Sequence, residues 1–328
     1  MIFKPHHQTN PSPAELKKAY QYCREVTRTH AKSFYFAAKF LPKHKQLPIY
    51  ALYALCRHVD DEVDESGVEN EREAAAAVGN WQAKLDEIYF DAGKNDYALR
   101  ITNDDLLKEI NKGQRTKDAG QNLVLTAWRD LLKTCRIPPA LPLELMKGVL
   151  MDTHIKRYAS FEELYVYCYR VASTVGLMSS EIFGYRDEKT REYAEALGIA
   201  MQLTNILRDV GEDAALNRIY LPAEDLRKFN VSEKQIFDNR TDENFINLMK
   251  FQIGRARRFY KKSEKGIPLL EKDARFSVLL ALRIYAKILD EIERQNYDVF
   301  KRRAHTSFTQ KIFSVPRIWR ESRKSAAS

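Results

Sequence analysis

Glycine (12) and proline (11) are sparse in this 328-residue chain, and the apolar–polar alternation of strands is hard to find in it. Leu, Ala, Glu and Lys are plentiful instead, a balance that favours a mostly helical globular protein. Cysteine is scarce too. Cys23, Cys56, Cys135 and Cys168 lie far apart with no CxxC pair, which excludes a zinc site or disulfide framework. They read as small buried hydrophobes in a reducing compartment. No run of about 18 apolar residues exists, so no spanning helix is expected. The opening MIFKPHHQTNPSPAE lacks the continuous apolar stretch of a secretory signal. A cytoplasmic protein is the expectation. No GxGxxG is present, which weakly disfavours a reductase step.

What is present is a large apolar fraction (44%) and a formal net charge of +9. The first is enough to bury one large core or two smaller ones. The second suits a polyanion: nucleic acid, an anionic membrane surface or a phosphorylated substrate. A nucleic-acid binder would interleave aromatics with Lys and Arg on one exposed surface. Here they sit in apolar helices, and no nucleic-acid partner is expected.

The pattern predicts one all-α domain over 13–304, between a loose lead-in at 1–12 and a basic amphipathic tail at 305–328. Ser12, Pro13 and Glu15 form a helix start. Helical spacing then runs over 13–40, 49–65, 71–90, 121–135, 142–155, 161–183, 188–210, 243–264 and 273–297. A polar surface excursion with one short helix is expected over 91–120, and a polar connection near 229–242.

Two of these helices carry the chemistry. ALCRHVDDEVDE (54–65) leads an apolar run into Asp60, Asp61, Glu62, Asp64 and Glu65. Asp60 and Asp64 are four apart and share a face, with Asp61 beside them. In GIAMQLTNILRDVGED (198–213), Asn205, Asp209 and Asp213 repeat at the same spacing, with Gln202 a turn earlier. Taken singly, either cluster is a solvated helix end. Two of them on apolar helices are a different matter, because buried ionised carboxylates cost several kcal/mol each unless neutralised. Hard oxygen donors without His or Cys select Mg²⁺ or Mn²⁺ over zinc. Arg57 and Arg208 accompany the acids as phosphate partners would. The implied site is a cation-filled cleft holding a diphosphate. Aromatic residues follow the motifs: Phe34, Tyr35, Phe36, Tyr50, Tyr53, Tyr165, Tyr167, Tyr169 and Tyr285. Ring faces can stabilise a cation, although helical aromatics are more often plain core.

HAKSF (30–34), YALCRHVDDEVDE (53–65), YCYRVASTVG (167–176), MQLTNILRDVGEDAALNRIYLP (201–222) and RIYAKILDEIERQNYDVFKRRA (283–304) together resemble the squalene and phytoene synthases. These join two prenyl diphosphates head to head. The resemblance implies an all-α isoprenoid synthase bundle with a central cavity, and roles for particular residues. Asp60, Asp61 and Asp64 match the first magnesium-binding set, and Asn205, Asp209 and Asp213 the second. Asp60, Asp64, Asp209, Asp213 and Tyr167 are the expected catalytic residues. Ser33, Phe34, Tyr53, Arg57, Gln202, Arg208, Arg218, Tyr285 and Arg302 fall where the family contacts diphosphate or prenyl chains. Val171 and Gly176 would line the tube for the chains.

TVGLMSSEIFGY, GEDAALNRIYLPAEDL and NYDVFKRRA look closest to the branch that converts two geranylgeranyl diphosphates to phytoene through a cyclopropylcarbinyl diphosphate. Squalene or dehydrosqualene formation from two farnesyl diphosphates is the alternative, and NADPH would be needed only for squalene. A silent homologue acting as a binding protein would have lost acidic ligands, and none is lost. The tail mixes Phe308, Ile312, Phe313, Ile318 and Trp319 with Lys311, Arg317, Arg320, Arg323 and Lys324. That composition suits peripheral membrane contact; a solvated terminus is the other reading.

Overall fold

The computed structural model describes residues 10–65, 71–93 and 118–324. Helix follows helix, and among the described residues the only β contacts are two isolated bridges. Helix α1 (Pro13–His30) starts with a complete capping box. The Glu15 amide donates to Ser12 Oγ at 3.3 Å, while the Glu15 carboxylate accepts from the Ser12 amide at 2.7 Å. The single helix expected to residue 40 is two, because Ala31 leaves the helical region (φ −130°, ψ 62°). Helix α2 (Lys32–Ala38) then sets off alone and lays Tyr35 against Tyr50, ring centres 5.5 Å apart.

Helix α3 (Lys43–Glu65) begins earlier than its apolar spacing suggested and passes through Pro48. Its start is anchored. The Pro42 carbonyl accepts from the amides of Lys45 and Gln46, and the buried Lys45 ammonium donates to the Phe183 carbonyl (2.8 Å) and pairs with Asp273. Next come α4 (Glu71–Asp91), α5 (Asp118–Leu131) and α6 (Ala140–His154). Of the lead-in expected at 1–12 and the excursion expected at 91–120, residues 1–9 and 94–117 lie outside the described residues, while 118–120 already belong to α5.

The stretch expected as one helix over 161–183 is α7 (Phe161–Cys168), a π-helical turn (Tyr169–Ser173) and α8 (Thr174–Phe183). Helix α9 (Thr190–Ala215) outruns its expected end near residue 210, and this keeps Asp213 on the same helix as Asn205 and Asp209. Two short helices, α10 (Ala223–Lys228) and α11 (Glu233–Phe237), bring the chain to the long α12 (Glu243–Glu264) and α13 (Lys272–Arg294). The tail is ordered as α14 (Phe308–Lys324), docked on α13 by the pair of Arg283 with Glu321 and by Lys287 donating to Ser314 at 2.6 Å.

Apolar side chains form two separate cores. One joins α1, α3, α4, α5, α6, α8 and the start of α13, with Leu52, Leu55, Trp81, Trp128 and Leu131 fully enclosed. The other surrounds α9, where Ile199, Leu203, Ile206 and Leu207 meet Phe245, Leu248 and Ile253 of α12 and Leu282 and Ile292 of α13. Tyr169 and Leu197 touch both. The acidic helices α3 and α9 thus belong to different cores. They make no extensive contact with each other, while α8 lies against both.

The π turn is where the halves are clamped. A β-carbon on Gly198 would stand 2.4 Å from Ser173 Cα, and one on Gly176 would stand 2.7 Å from the Ala194 carbonyl oxygen. Backbone therefore meets backbone at both places. At Gly176 the missing side chain lets the Ala194 backbone of α9 come close.

Gly198→Ala should destabilise the protein by roughly 1–3 kcal/mol through overpacking against rigid backbone. Gly79→Ala on α4, where an added β-carbon meets nothing within 4 Å, should be neutral or stabilising by up to about 1 kcal/mol. Urea denaturation of the two variants checks the contrast, and equal effects would refute it.

Candidate active site

Along α3, the inward face is solid core at Ile49, Leu52, Leu55 and Val59. Tyr53, Cys56, Arg57, Asp60 and Asp61 form a second stripe that keeps part of its surface open. Helix α9 repeats the arrangement, with Met201, Gln202, Asn205, Arg208 and Asp209 half-open beside fully buried Leu203, Ile206 and Leu207. Cys56 shows what such a stripe faces. Burial pushes its thiol up to about 12, with the Asp60 carboxylate adding to the effect, yet the side chain is not closed off.

On the α3 side Arg57 is the organiser. Its guanidinium lies 3.4 Å from Asp60 and pairs with Asp61. Burial works against the charge of Arg57, but Asp61 and Asp60 outweigh it and hold its pKa above the ordinary value. Phe34 packs on Tyr53 with ring centres 5.7 Å apart. Burial raises the Tyr53 phenol, opposed by Arg57 and assisted by Tyr285 and Asp60. Ser33 is half-buried on α2 beside them in sequence. Asp64 is helical, and its side chain lies outside the described residues.

On α9 the acids are unequally served. Asp209 receives Arg208 at 2.7 and 2.5 Å and Arg303 at 2.8 and 3.1 Å. Burial opposes its ionisation, and the two arginines overcome this and hold the carboxyl below its usual range. Among the described residues, no arginine forks onto Asp213. Burial, then the charge of Asp209, push it up to about 7, with Arg218 opposing and Asp152 and Glu212 assisting. Two turns back, Asn205 donates to Gln202 at 3.2 Å, and its buried Oδ1 has no hydrogen-bond partner among the described residues. Tyr285 of α13 lies within electrostatic reach of both sides, acting on Tyr53 of α3 and on Arg208 of α9.

The structure sorts the aromatics. Phe34, Tyr53 and Tyr285 stand with the acids, whereas Tyr35 and Tyr50 are core and Tyr165 turns away to donate to Glu195 at 2.5 Å. Val171 and Tyr169 lie half-buried in the π turn. Arg302 is exposed and lines an open surface recess with Glu291, Arg294 and His305; its neighbour Arg303 is the one that reaches Asp209. Sequence reasoning also passed over Asp152. That residue accepts from Tyr167 at 3.0 Å and Tyr220 at 2.7 Å, and its backbone carbonyl accepts from Arg218 at 3.2 Å. Its only sequence signal was an acid following the apolar run Val149–Met151 of α6.

Among the described residues, no three Asp, Glu, His or Cys side chains already converge on one point. The donor chemistry nevertheless fits a hard divalent cation. The unpartnered Asn205 Oδ1 and the under-compensated Asp213 share α9 with Asp209, all three are oxygen donors, and arginines neutralise the acids that are neutralised.

Comparison with known proteins supplies the context. Residues 27–310 match the model of a family described as squalene/phytoene synthase. The chain belongs to that family. It is 38% identical to a 15-cis-phytoene synthase of Synechocystis over 94% of this chain and 88% of the relative. A 15-cis-phytoene synthase of Synechococcus elongatus is also 38% identical, over 92% of this chain and 93% of the relative. Among solved structures, a dehydrosqualene synthase superposes with a TM-score of 0.80 at 28% identity, covering 95% of this chain and 99% of that one. A squalene synthase from Alicyclobacillus acidocaldarius gives 0.70 at 25% identity, covering 87% and 97%. The all-α isoprenoid synthase fold and a prenyltransferase activity follow for the family member described above.

A carboxyl raised from 3.8 to about 7 binds its proton more tightly folded than unfolded. Its ionisation therefore costs stability as pH rises from about 4 through 7, and protonation below that window restores it. Asp213→Asn should accordingly raise the stability of EDTA-treated protein at pH 8 by roughly 1–3 kcal/mol. Added Mg²⁺ should raise the melting temperature of the parent and raise that of the variant much less. Equal metal shifts in both would overturn the assignment.

Proposed function

We propose that this chain joins two geranylgeranyl diphosphates head to head to form phytoene, the committed C–C bond formation of carotenoid synthesis. The observation that carries the choice of substrate is the near-full-length similarity to relatives named 15-cis-phytoene synthase. The geometry supports the chemistry. Arg57 and Arg208, here held on carboxylates, carry fork-shaped donors suited to a diphosphate. Arg218 and Arg303 lie beside the same acids. Asp60, Asp61 and Asp64 on one side and Asn205, Asp209 and Asp213 on the other would hold magnesium. When bound, that metal supplies positive charge for the departing diphosphate.

Each protein group then has a task. The arginines bind and orient the leaving diphosphate and stabilise its developing charge. Phe34, Tyr53 and Tyr285 turn electron-rich rings to the allylic cation, an interaction of about 0.5–2 kcal/mol apiece. Apolar walls on α3, α8 and α9 exclude the water that would quench it. The cation alkylates a double bond of the second substrate, and loss of a proton closes a cyclopropane. That intermediate ionises, rearranges and loses a second proton to give the central triene. No hydride is consumed, so NADPH has no role.

Purified protein with Mg²⁺ and either geranylgeranyl or farnesyl diphosphate, with and without NADPH, tests the reading. A C40 hydrocarbon independent of NADPH is expected; squalene appearing only with NADPH would refute the substrate assignment. Asp209→Ala should lower turnover by about 100-fold or more, since it removes both a metal ligand and the partner of two arginines.

We further propose a peripheral membrane contact through α14. Phe308 and Phe313 are 66% and 82% exposed, with Ile312 and Trp319 also open. Arg317, Arg320 and Arg323 are exposed on the same helix. Phe308 packs edge-on against Phe36, which meets Phe40, which meets Phe276, so the patch continues onto the body of the protein. No helix among the described residues is long and apolar enough to cross a membrane. Phe308→Ser with Phe313→Ser should cut co-sedimentation with anionic vesicles about tenfold without changing the fold; unaltered sedimentation would refute the contact.

A further inference from the structure

Both oxygens of the Asp152 carboxylate are occupied by phenols. Tyr167 Oη donates to Oδ2 at 3.0 Å and Tyr220 Oη donates to Oδ1 at 2.7 Å. The two rings stack with centres 5.2 Å apart, and Tyr158 closes the group at 5.6 and 5.9 Å. A phenol has a single proton to give. Once it is directed at a carboxylate, only lone pairs remain, and Asp152 therefore decides the polarity of two hydroxyls at once.

The cluster abuts the second acidic helix. The Arg218 amide donates to the Asp213 carbonyl at 2.9 Å, and its guanidinium donates to the Asp152 carbonyl. Asp213, Arg218 and Tyr220 line one small recess. Tyr167 lies in the last turn of the helix that leads directly into the π turn, where Val171 is half-open. Packing three aromatic rings does not call for an acid, since an apolar residue of similar size would do so without desolvating a charge. The orientation of the hydroxyls is what an acid adds.

We propose that Asp152 is a positioning residue of the prenyl-transfer site, holding Tyr167 and Tyr220 with oxygen lone pairs rather than protons toward the lipid cation formed when diphosphate leaves. The inference rests on the prenyl-transfer reading above. The oxygen end of each phenol dipole favours nearby positive charge, and a hydroxyl proton in the same place would oppose it. Because the dipoles are fixed before substrate arrives, no reorganisation accompanies ionisation.

Asp152→Asn keeps the size of the side chain but offers an amide NH₂ to one phenol, so that one hydroxyl must turn. In the Mg²⁺-loaded protein kcat should fall about tenfold to a hundredfold, the range for reversing one hydrogen bond to a charged group. KM should stay within about twofold, because the effect arises after ionisation. Asp152→Glu should recover part of kcat, and ultraviolet resonance Raman of the substrate-free variant should show a tyrosine changed from donor to acceptor. Tyr220→Phe, which keeps the ring and removes one hydroxyl, guards against a misfolded Asn variant and should lower kcat at unchanged KM and melting temperature. Parent-like kcat in Asp152→Asn and Tyr220→Phe would overturn the proposal. So would losses of kcat that track losses of melting temperature, with Asp152→Glu no better than Asp152→Asn. Should the parent convert farnesyl and not geranylgeranyl diphosphate, the substrate reading falls, and the same comparison made with farnesyl diphosphate still decides Asp152.

Discussion

Keeping carboxylates ionised inside a helical bundle is the constraint on which the rest of this molecule depends. Helix α9 buries Leu203, Ile206 and Leu207 and must carry Asn205, Asp209 and Asp213 through the same few turns. An isolated carboxylate there is driven toward its protonated form, and burial pushes Asp213 up to about 7. Asp209 escapes because Arg208 from its own helix and Arg303 from the chain beyond α13 both fork onto it. Asp60 and Asp61 share Arg57 in the same way. Positive charge is thus supplied at short range to most of the site but not to all of it. The remainder, Asp213 with the Asn205 oxygen that has no hydrogen-bond partner among the described residues, is the least compensated part of it.

The division of the apolar residues into two cores follows from the same requirement. If α3 and α9 packed face to face, their acidic stripes would be forced together without solvent or metal. They instead bury their leucines and isoleucines in separate clusters and leave half-open faces between. The halves are held in register by the π turn and by backbone contact at Gly198 and Gly176. Rigid contact there matters because a site that discharges a reactive cation has to exclude water at the same time as it admits two long lipids. Beside α9, Asp152 sets the direction of two further hydroxyls, those of Tyr167 and Tyr220.

Much of this was legible in the residues. Sparse glycine and proline and a 3.6-residue apolar period announce helices. The i, i+4, i+8 spacing of Asn205, Asp209 and Asp213 places them on one face wherever the helix sits. What misled was local. The apolar period fades after Val210, yet α9 continues to Ala215, because the last turn is held by contacts from other elements rather than by its own pattern. Pro48 looked like a helix start and lies inside one, since Pro42 and the buried Lys45 provide the true beginning.

By itself, the sequence determined the helical class, the pairing of two oxygen-rich segments on apolar helices, and the family. Each is a property of residue type and spacing along one chain, and each survives any arrangement of the helices. Tertiary structure alone decided which arginine serves which acid, with Arg303 and not Arg302 reaching Asp209. It also decided which aromatics face the acids and which fill the core, and that Asp152 gathers Tyr167 and Tyr220. Those are contacts between residues far apart in the chain, often a turn of helix away from an equally plausible neighbour. Which side of a helix faces the seam is set by the packing of the whole bundle.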